Sequence, residues 1–178
     1  MAIIQKEDPR LRHQSEHVSL ADIPKKAMRD LIEKMKLALR AEPSGIGLAA
    51  VQIGVPKALF IVSRYILDPE KTDALEDEEA AKKKKETEEY LVFINPRITK
   101  QSRKKEIMTE GCLSVRGAFG KIKRSTNVTI EAYDEHGKKF TRGAGGLFAQ
   151  VLQHETDHLN GILFVDHALT LEKLKEEK

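Results

Sequence analysis

The chain has 178 residues, of which 40% are hydrophobic and 33% are charged, a composition typical of one globular domain with its own core. The formal net charge is +3, and acidic and basic residues are interleaved, which argues against direct sequence-specific nucleic-acid binding. No apolar run reaches the roughly 18 residues that a membrane-spanning helix needs, and residues 1–14 lack the apolar stretch of a secretory leader.

The first predicted element is a helix at residues 21–40. Apolar residues recur there at helical spacing, from Met28 to Leu39, among charged residues. Asp22 is the predicted N-cap. The helix is expected to end before Pro43, because the sequence PSG that follows breaks helices.

The middle of the chain is predicted to form β-strands, because short runs of β-branched and aromatic residues alternate with turn signals. The first run, residues 58–62, is followed at residues 68–89 by a highly charged insertion with almost no large apolar residue. We interpret this insertion as an exposed loop or a short solvated helix. The later predicted strands are residues 90–94, 107–115, 128–133 and 138–142, the last two joined by a turn at residues 134–137.

The C-terminal part is predicted to contain a second helix at residues 147–160. A flexible glycine-rich link at residues 143–146 precedes it, and Gly161 is expected to end it. Residues 169–178 are interpreted as a charged C-terminal tail. The order of elements predicts a single α+β domain over residues 1–178, with mostly antiparallel β-sheets packed around this central helix and an N-terminal helix beside them.

The second helix carries the sequence QHETDHLNG, residues 153–161. Residues four apart share one face of a helix, so His154 and His158 can direct two imidazoles at one metal ion. Glu155 lies about 100° round the helix, where it can serve as a general base. A chance polar stripe is the alternative, but the two histidines continue an apolar stripe through Leu147 and Val151. Buried imidazoles are costly unless they are paired or bind metal, so the pattern favours a metal-binding helix and metal-assisted hydrolysis.

The third metal ligand decides which class of hydrolase this is, because HExxH by itself is typical of zinc metalloproteases. One protease class needs a third histidine where Phe164 stands, and another needs a glutamate on a second downstream helix, for which residues 169–178 are too short. Cys112, the only cysteine, is the remaining candidate. Its thiolate suits zinc or ferrous iron, although a lone cysteine is more often a buried apolar residue. A lone thiol is also typical of a reducing cytoplasm.

Three segments together resemble the signature motifs of peptide deformylase, in that family's order: GIGLAAVQIG at residues 45–54, EGCLSV at residues 110–115 and QHETDHLNG. The similarity extends from about residue 8 to about residue 166, apart from the charged insertion. The family removes the N-formyl group from the initiator methionine of newly made bacterial and organellar proteins. The resemblance therefore implies a hydrolase of linear amides that releases formate, acts on nascent chains in a bacterial-type cytoplasm and associates transiently with ribosomes.

The resemblance also implies the metal and the catalytic residues. Cys112, His154 and His158 would hold one ion per chain, and Glu155 would act as general base. The side-chain amide of Gln52 and the backbone N–H of Leu113 would stabilise the oxyanion. Ligand chemistry alone favours zinc, whereas the resemblance implies ferrous iron, with Zn²⁺, Ni²⁺ or Co²⁺ able to replace it.

A further set of residues is expected, from the same resemblance, to bind the peptide or support the metal site. Backbone groups of Ile46, Gly47 and Gly111 would pair with the substrate as an added strand. The glycines at positions 45 and 47 allow the close approach that a side chain would block. An apolar pocket would take the methionine side chain, and it would be formed by Ile46, Met108, Leu147 and the ring of His154. For Met108 and Leu147, packing in the core is at least as good an interpretation. The substrate-binding residues implied are Gly45, Ile46, Gly47, Met108, Gly111 and Leu147. The ion pair implied beneath the site is Glu110–Arg124.

Several positions depart from the family pattern. Val51 and Arg116 replace prolines that are common in the family, Gln150 places a polar side chain near the expected pocket wall, and the insertion at residues 68–89 is longer than usual. None of these positions is an expected metal ligand or the expected general base. We therefore expect the departures to affect the shape of the pocket and the substrate preference. A zinc endopeptidase and a non-catalytic metal-binding module are the two alternatives that the sequence leaves open.

Overall fold

Two antiparallel sheets and two helices form the part of the chain that the computed structural model describes, residues 2–67 and 89–173. The helices are α1 (Lys26–Arg40) and α2 (Gly146–Leu159). The five-stranded sheet consists, in spatial order, of β1 (Gly47–Ala49), β2 (Leu59–Ser63), β3 (Tyr90–Gln101), β6 (Asn127–Tyr133) and β7 (Lys139–Gly145). The three-stranded sheet consists of β4 (Lys105–Cys112), β5 (Val115–Ser125) and β8 (Thr170–Lys173). The predicted α+β class, with antiparallel sheets, is confirmed.

The two helices lie on opposite faces of the five-stranded sheet. Successive side chains of a strand point to opposite faces, and β2 is buried along its whole length. Leu59 and Ile61 pack in one core cluster with the apolar side of α1, whereas Phe60 and Val62 pack in the other cluster with α2. Because α2 also contacts β5 of the three-stranded sheet, its polar residues lie in the interior of the domain.

The start of α1 differs from the prediction. The helix begins at Lys26, its N-cap is Lys25, and no side chain caps it, so the prediction of Asp22 as N-cap is wrong. Asp22 instead ends a short 3₁₀ turn, Leu20–Asp22, and its Oδ1 lies 2.6 Å from Nζ of Lys25. Pro24, which has no backbone N–H to donate, separates this turn from the helix.

The largest differences from the predicted elements are in the strands. The predicted strand at residues 107–115 is two strands, β4 and β5, which reverse direction at residues 113–114 and pair from Lys105↔Ser125 to Cys112↔Val115. Most of β5 was not predicted, because glycines and lysines give its sequence little strand propensity. The predicted flexible link at residues 143–146 was also wrong in part, since Gly143 to Gly145 pair with β6.

The C-terminal segment is not simply a tail. Residues 170–173 form β8, which pairs with β5 from Ala118↔Lys173 to Lys121↔Thr170. Residues 174–178 of the predicted tail, and residues 68–88 of the predicted insertion, lie outside the described residues. Within residues 2–67 and 89–173, no helix is long and apolar enough to cross a membrane.

Gly161 ends α2 in the way that the sequence predicts. Its φ of +74° is in the left-handed region, and its backbone N–H donates to the carbonyl of His158 at 3.1 Å. A Cβ at this position would lie 2.7 Å from the carbonyl carbon of Arg12. The helix end is therefore packed directly against the N-terminal backbone.

Gly161→Ala is expected to lower the free energy of unfolding by about 2 kcal/mol or more, because it adds a backbone clash to left-handed strain. Gly146→Ala is the matched control, since Gly146 has φ +54° but nothing within 4 Å of an added Cβ. The control should lose only the strain contribution, about 1 kcal/mol. Urea unfolding measures both variants, and equal losses would contradict the packing argument.

Candidate active site

Helix α2 brings the two histidines of the HExxH motif together in the interior. Nε2 of His154 and Nε2 of His158 are 3.2 Å apart, and the two rings are nearly perpendicular, at 88°. His158 is 1% exposed, and within the described part of the chain its Nδ1 is buried without a hydrogen-bond partner. Two ring nitrogens therefore face one point from the helix, as the spacing of the motif predicts.

Cys112 lies beside this histidine pair. It ends β4 after a register shift between Gly111 and Cys112, and its Sγ is 3.3 Å from Nε2 of His158. The ligand atoms of Cys112, His154 and His158 all lie within 4.8 Å of one another. Burial by itself would raise the pKa of the thiol, but the neighbouring imidazoles of His158 and His154 hold it well below its usual value. The cysteine is therefore placed as a third donor to a metal ion, rather than as a small apolar residue in a core.

The carboxylate of Glu110 orients His154 from behind. Its Oε2 lies 2.9 Å from Nδ1 of His154, and Arg124 donates to both carboxylate oxygens at 2.7 and 3.0 Å. Burial by itself would raise the pKa of Glu110, but the hydrogen bonds from His154 and Arg124 outweigh it and lower the pKa to about 2. A carboxylate that accepts from Nδ1 leaves Nε2 free to bind metal, which is the usual support for a ligating histidine.

Asp157 completes this network and was missed by the sequence analysis. Its Oδ2 accepts from Nη1 of Arg124 at 2.7 Å. The signal was present, because Asp157 follows His154 by three residues and so lies on the same side of the helix. Arg124 is 8% exposed and Glu110 is 5% exposed, so the ion pair that the resemblance implies is largely buried.

Glu155 faces the start of β1. Its Oε1 lies so close to Gly47 that a Cβ at that position would force the carboxylate to move. Its Oε2 is buried and has no hydrogen-bond partner among the described residues, and burial raises the pKa of the carboxyl group to about 7. A buried carboxylate oxygen without a partner is costly, so its presence indicates a group that acts on something bound.

Gln52 joins the 3₁₀ turn Ala50–Ile53 to the cysteine. Its Oε1 accepts from the backbone N–H of Ala49 at 2.8 Å. Its Nε2 donates to Oγ of Ser114 at 3.1 Å and lies 3.6 Å from Sγ of Cys112. One end of the side chain therefore accepts from the backbone, and the amide nitrogen at the other end is directed toward Cys112 and the candidate metal site. Ser114, which also donates its backbone N–H to Sγ at 3.4 Å, was not singled out from the sequence.

A cavity of about 420 Å³ opens beside these groups. It contains Gln52, Cys112, Leu113, His154 and Glu155 in its wall. Of the residues expected to bind the peptide, it is lined by Gly45, Ile46, Gly47, Gly111 and Leu147.

Met108 does not line this cavity. It lies on the inward side of β4 with Glu110, but two residues further from Cys112, a distance of about 7 Å along a strand. Thr109 and Phe119 contribute to the wall instead. Arg116, one of the departures from the family pattern, also lines the cavity and forms an ion pair with Glu42 at 2.6 Å.

Comparison with known sequences identifies relatives over nearly the whole chain. The sequence model described as Polypeptide deformylase matches residues 1–174. A peptide deformylase of Rhizobium meliloti (strain 1021) is 36% identical over 171 residues, covering 96% of this chain and 84% of the relative. One from Zymomonas mobilis is 35% identical over 185 aligned residues, covering 100% of this chain and 95% of the relative.

Solved structures agree with this assignment. The peptide deformylase of Synechococcus elongatus, crystallised in complex with actinonin, superposes with a TM-score of 0.77 at 32% identity, covering 96% of this chain and 79% of that one. A probable peptide deformylase from Synechococcus phage S-SSM7 superposes with a TM-score of 0.77 at 35% identity, covering 94% of this chain and 99% of that one. The resemblance recognised in the three motifs is confirmed. The chain belongs to the polypeptide deformylase family, whose members are metal-dependent hydrolases that remove the N-formyl group from newly made peptides.

Proposed function

We propose that the family reaction takes place at the centre formed by Cys112, His154 and His158, and that formylmethionine at the N-terminus of nascent proteins is the substrate. One observation carries this proposal. Three donor atoms lie within 4.8 Å of one another, and Glu155, the residue after His154, holds a buried carboxylate oxygen without a hydrogen-bond partner. Ligands and a general base are thus combined at one wall of a peptide-sized cavity.

The donor set fits one divalent metal ion per chain. A thiolate with two imidazoles suits zinc and ferrous iron, and three protein ligands leave a position open as catalytic sites require. We infer that ferrous iron is the native ion, on the family resemblance, and that Zn²⁺, Ni²⁺ or Co²⁺ can take its place. When bound, the ion supplies a Lewis acid that lowers the pKa of a water molecule and polarises the formyl oxygen.

In this proposal, Glu155 carries the proton. Its carboxylate takes a proton from the attacking water, and the resulting acid returns that proton to the amine that leaves. The bond from the formyl carbon to nitrogen is broken, a bond from that carbon to the water oxygen is formed, and the products are formate and a free N-terminal amino group. Because Gly47 has no side chain, the carboxylate of Glu155 can lie against the start of β1, where both residues line the cavity.

In this proposal, the side-chain amide of Gln52 and the backbone N–H of Leu113 stabilise the oxygen that becomes negatively charged. Nε2 of Gln52 is directed toward Cys112 by the bond that its Oε1 accepts from Ala49. Leu113 follows Cys112 in the turn between β4 and β5 and lines the cavity. One preorganised donor of this kind contributes about 3 kcal/mol to transition-state stabilisation.

The peptide backbone is expected to bind as an added strand. β1 and β4 are edge strands of their sheets. Gly47 of β1, the preceding Ile46 and Gly111 of β4 line the same cavity. Edge strands carry unpaired N–H and C=O groups that an extended peptide can use. Two sheet edges that line one cavity therefore support binding of a linear peptide N-terminus.

Glu155→Gln should lower kcat by about two to four orders of magnitude while the protein still binds its metal, because the amide cannot carry the proton. Formate release from formyl-Met-Ala-Ser, after anaerobic iron loading, measures the rate, and elemental analysis measures the metal. Glu172→Gln is the matched control, since Glu172 is exposed on β8, and its rate should equal that of the wild type. Absence of formate from the iron-loaded wild type would contradict the assigned reaction.

Cys112→Ala should lose most of its bound metal and its activity, because a centre with two histidines alone holds an ion weakly. Iron or zinc content after gel filtration measures the loss, and Ser114→Ala is the control that keeps the thiol. Full metal occupancy in the Cys112 variant would mean that another residue is the third ligand, as in an endopeptidase.

We also infer that the chain acts in a bacterial-type cytoplasm and contacts ribosomes transiently, because its family acts on formylated nascent peptides. The protein should cosediment with translating ribosomes at low salt and dissociate at high salt, since weak charged contacts are screened. Failure to cosediment at any salt concentration would remove this part of the proposal without affecting the formate assay.

A further inference from the structure

Gln150 places an amide group in the wall of the cavity. Leu147, Gln150, Val151 and His154 all line the cavity, and their spacing along α2 is that of one helix side. Gln150 is 9% exposed. On this side of α2, Gln150 is therefore the one polar residue lining the cavity that is not a candidate metal ligand.

The orientation of this amide is determined by a hydrogen bond to β4. Nε2 of Gln150 donates to the carbonyl oxygen of Thr109 at 2.8 Å. A carbonyl oxygen only accepts, so the amide nitrogen must face β4 and Oε1 must face elsewhere. No residue in the described part of the chain forms a hydrogen bond with Oε1.

Gln153, one turn further along α2, has a different environment. Its Oε1 accepts from the backbone N–H of Ser125 at 3.1 Å, and its Nε2 donates to the carbonyls of Ser125 and Ala149, both at 2.9 Å. Gln153 is absent from the cavity lining and is satisfied at both ends by the fold. Packing between helix and sheet accounts for Gln153, but it accounts for only one end of Gln150.

We propose that Gln150 is a specificity-determining residue, and that its Oε1 accepts a hydrogen bond from the first side chain of the formylated peptide. This rests on the proposed function, in which the cavity receives that side chain. A purely apolar wall disfavours a polar side chain, which loses its water without replacement. An amide acceptor in the wall replaces that hydrogen bond, so first residues with a donor at the length of glutamine are accepted beside methionine.

The same acceptor disfavours apolar first residues. When a methionine or norleucine side chain fills the pocket, Oε1 loses contact with water and gains no partner. Removing the acceptor should therefore improve substrates with apolar first residues and impair those with a hydrogen-bond donor. This opposite change distinguishes a specificity role from a structural role, which would change both substrates in the same direction.

The test compares two substrates on two proteins. Gln150→Met keeps the length of the side chain and removes its polar atoms. The ratio of kcat/KM for formyl-Gln-Ala-Ser to that for formyl-norleucine-Ala-Ser, measured by formate release on iron-loaded protein, should fall about tenfold in the variant. An unchanged or increased ratio would overturn the proposal. No formate from either substrate with the wild type would instead contradict the proposed function.

Leu147→Met is the matched control, because it changes the shape of the same wall without changing its polarity. Its substrate ratio should stay within about twofold of the wild type, and a fall equal to that of Gln150→Met would refute the assignment to the amide. A second measurement needs no variant. The wild type should prefer formyl-Gln-Ala-Ser over the peptide beginning with methionine sulfone, which carries acceptors but no donor, and the reverse preference would also overturn the proposal.

Discussion

The carboxylate of Glu110 joins the three-stranded sheet to helix α2 at the candidate metal site. It lies on β4, two residues before Cys112, and it pairs with Arg124 on β5 and with Nδ1 of His154 on α2. Arg124 continues the network to Asp157 on the same helix. One buried carboxylate thus links the strand that carries the cysteine to the helix that carries the histidines.

A buried ion pair of this kind contributes mainly to specificity of arrangement. Desolvating two charges offsets much of their attraction, so replacing the pair by apolar residues is often neutral for stability. Removing one partner is costly, however, because the other charge stays buried without compensation. Surface pairs such as Arg97–Glu131, in which the arginine side chain is 73% exposed, have no comparable effect on geometry. Glu110, in contrast, orients His154 through the hydrogen bond between its Oε2 and Nδ1 of the imidazole.

The interior of this domain contains polar groups of two kinds. Gln153 and Glu110 have partners within the fold at every side-chain polar atom, and they position backbone and ligands. Glu155 and Gln150 each have an oxygen without a partner among the described residues, and both line the cavity. Satisfied groups hold the structure together, whereas unsatisfied groups beside a cavity are available to a bound molecule.

Local sequence patterns predicted the elements whose structure depends on near neighbours. The position of α2 and the meeting of His154 with His158 follow from 3.6 residues per turn. The end of the helix follows from the left-handed conformation that glycine adopts at position 161. Elements stabilised by distant partners were predicted less well. Most of β5, the glycines at the end of β7 and strand β8 have weak local propensity, and they form because neighbouring strands supply their hydrogen bonds.

The sequence by itself predicted the metal-binding helix and the general base beside it, and three motifs in order identified the family. The tertiary structure decided which residues meet them: Cys112 reaches His158 across 46 positions of sequence, Asp157 joins the network through Arg124, Met108 stays outside the cavity, and Gln150 is bonded at only one end. Contacts within a helix are set by its repeat, so the spacing of His154, Glu155 and His158 is enough to predict how they lie relative to one another. Contacts between sheet and helix depend on strand register and packing over the whole domain, which no short segment of the chain contains.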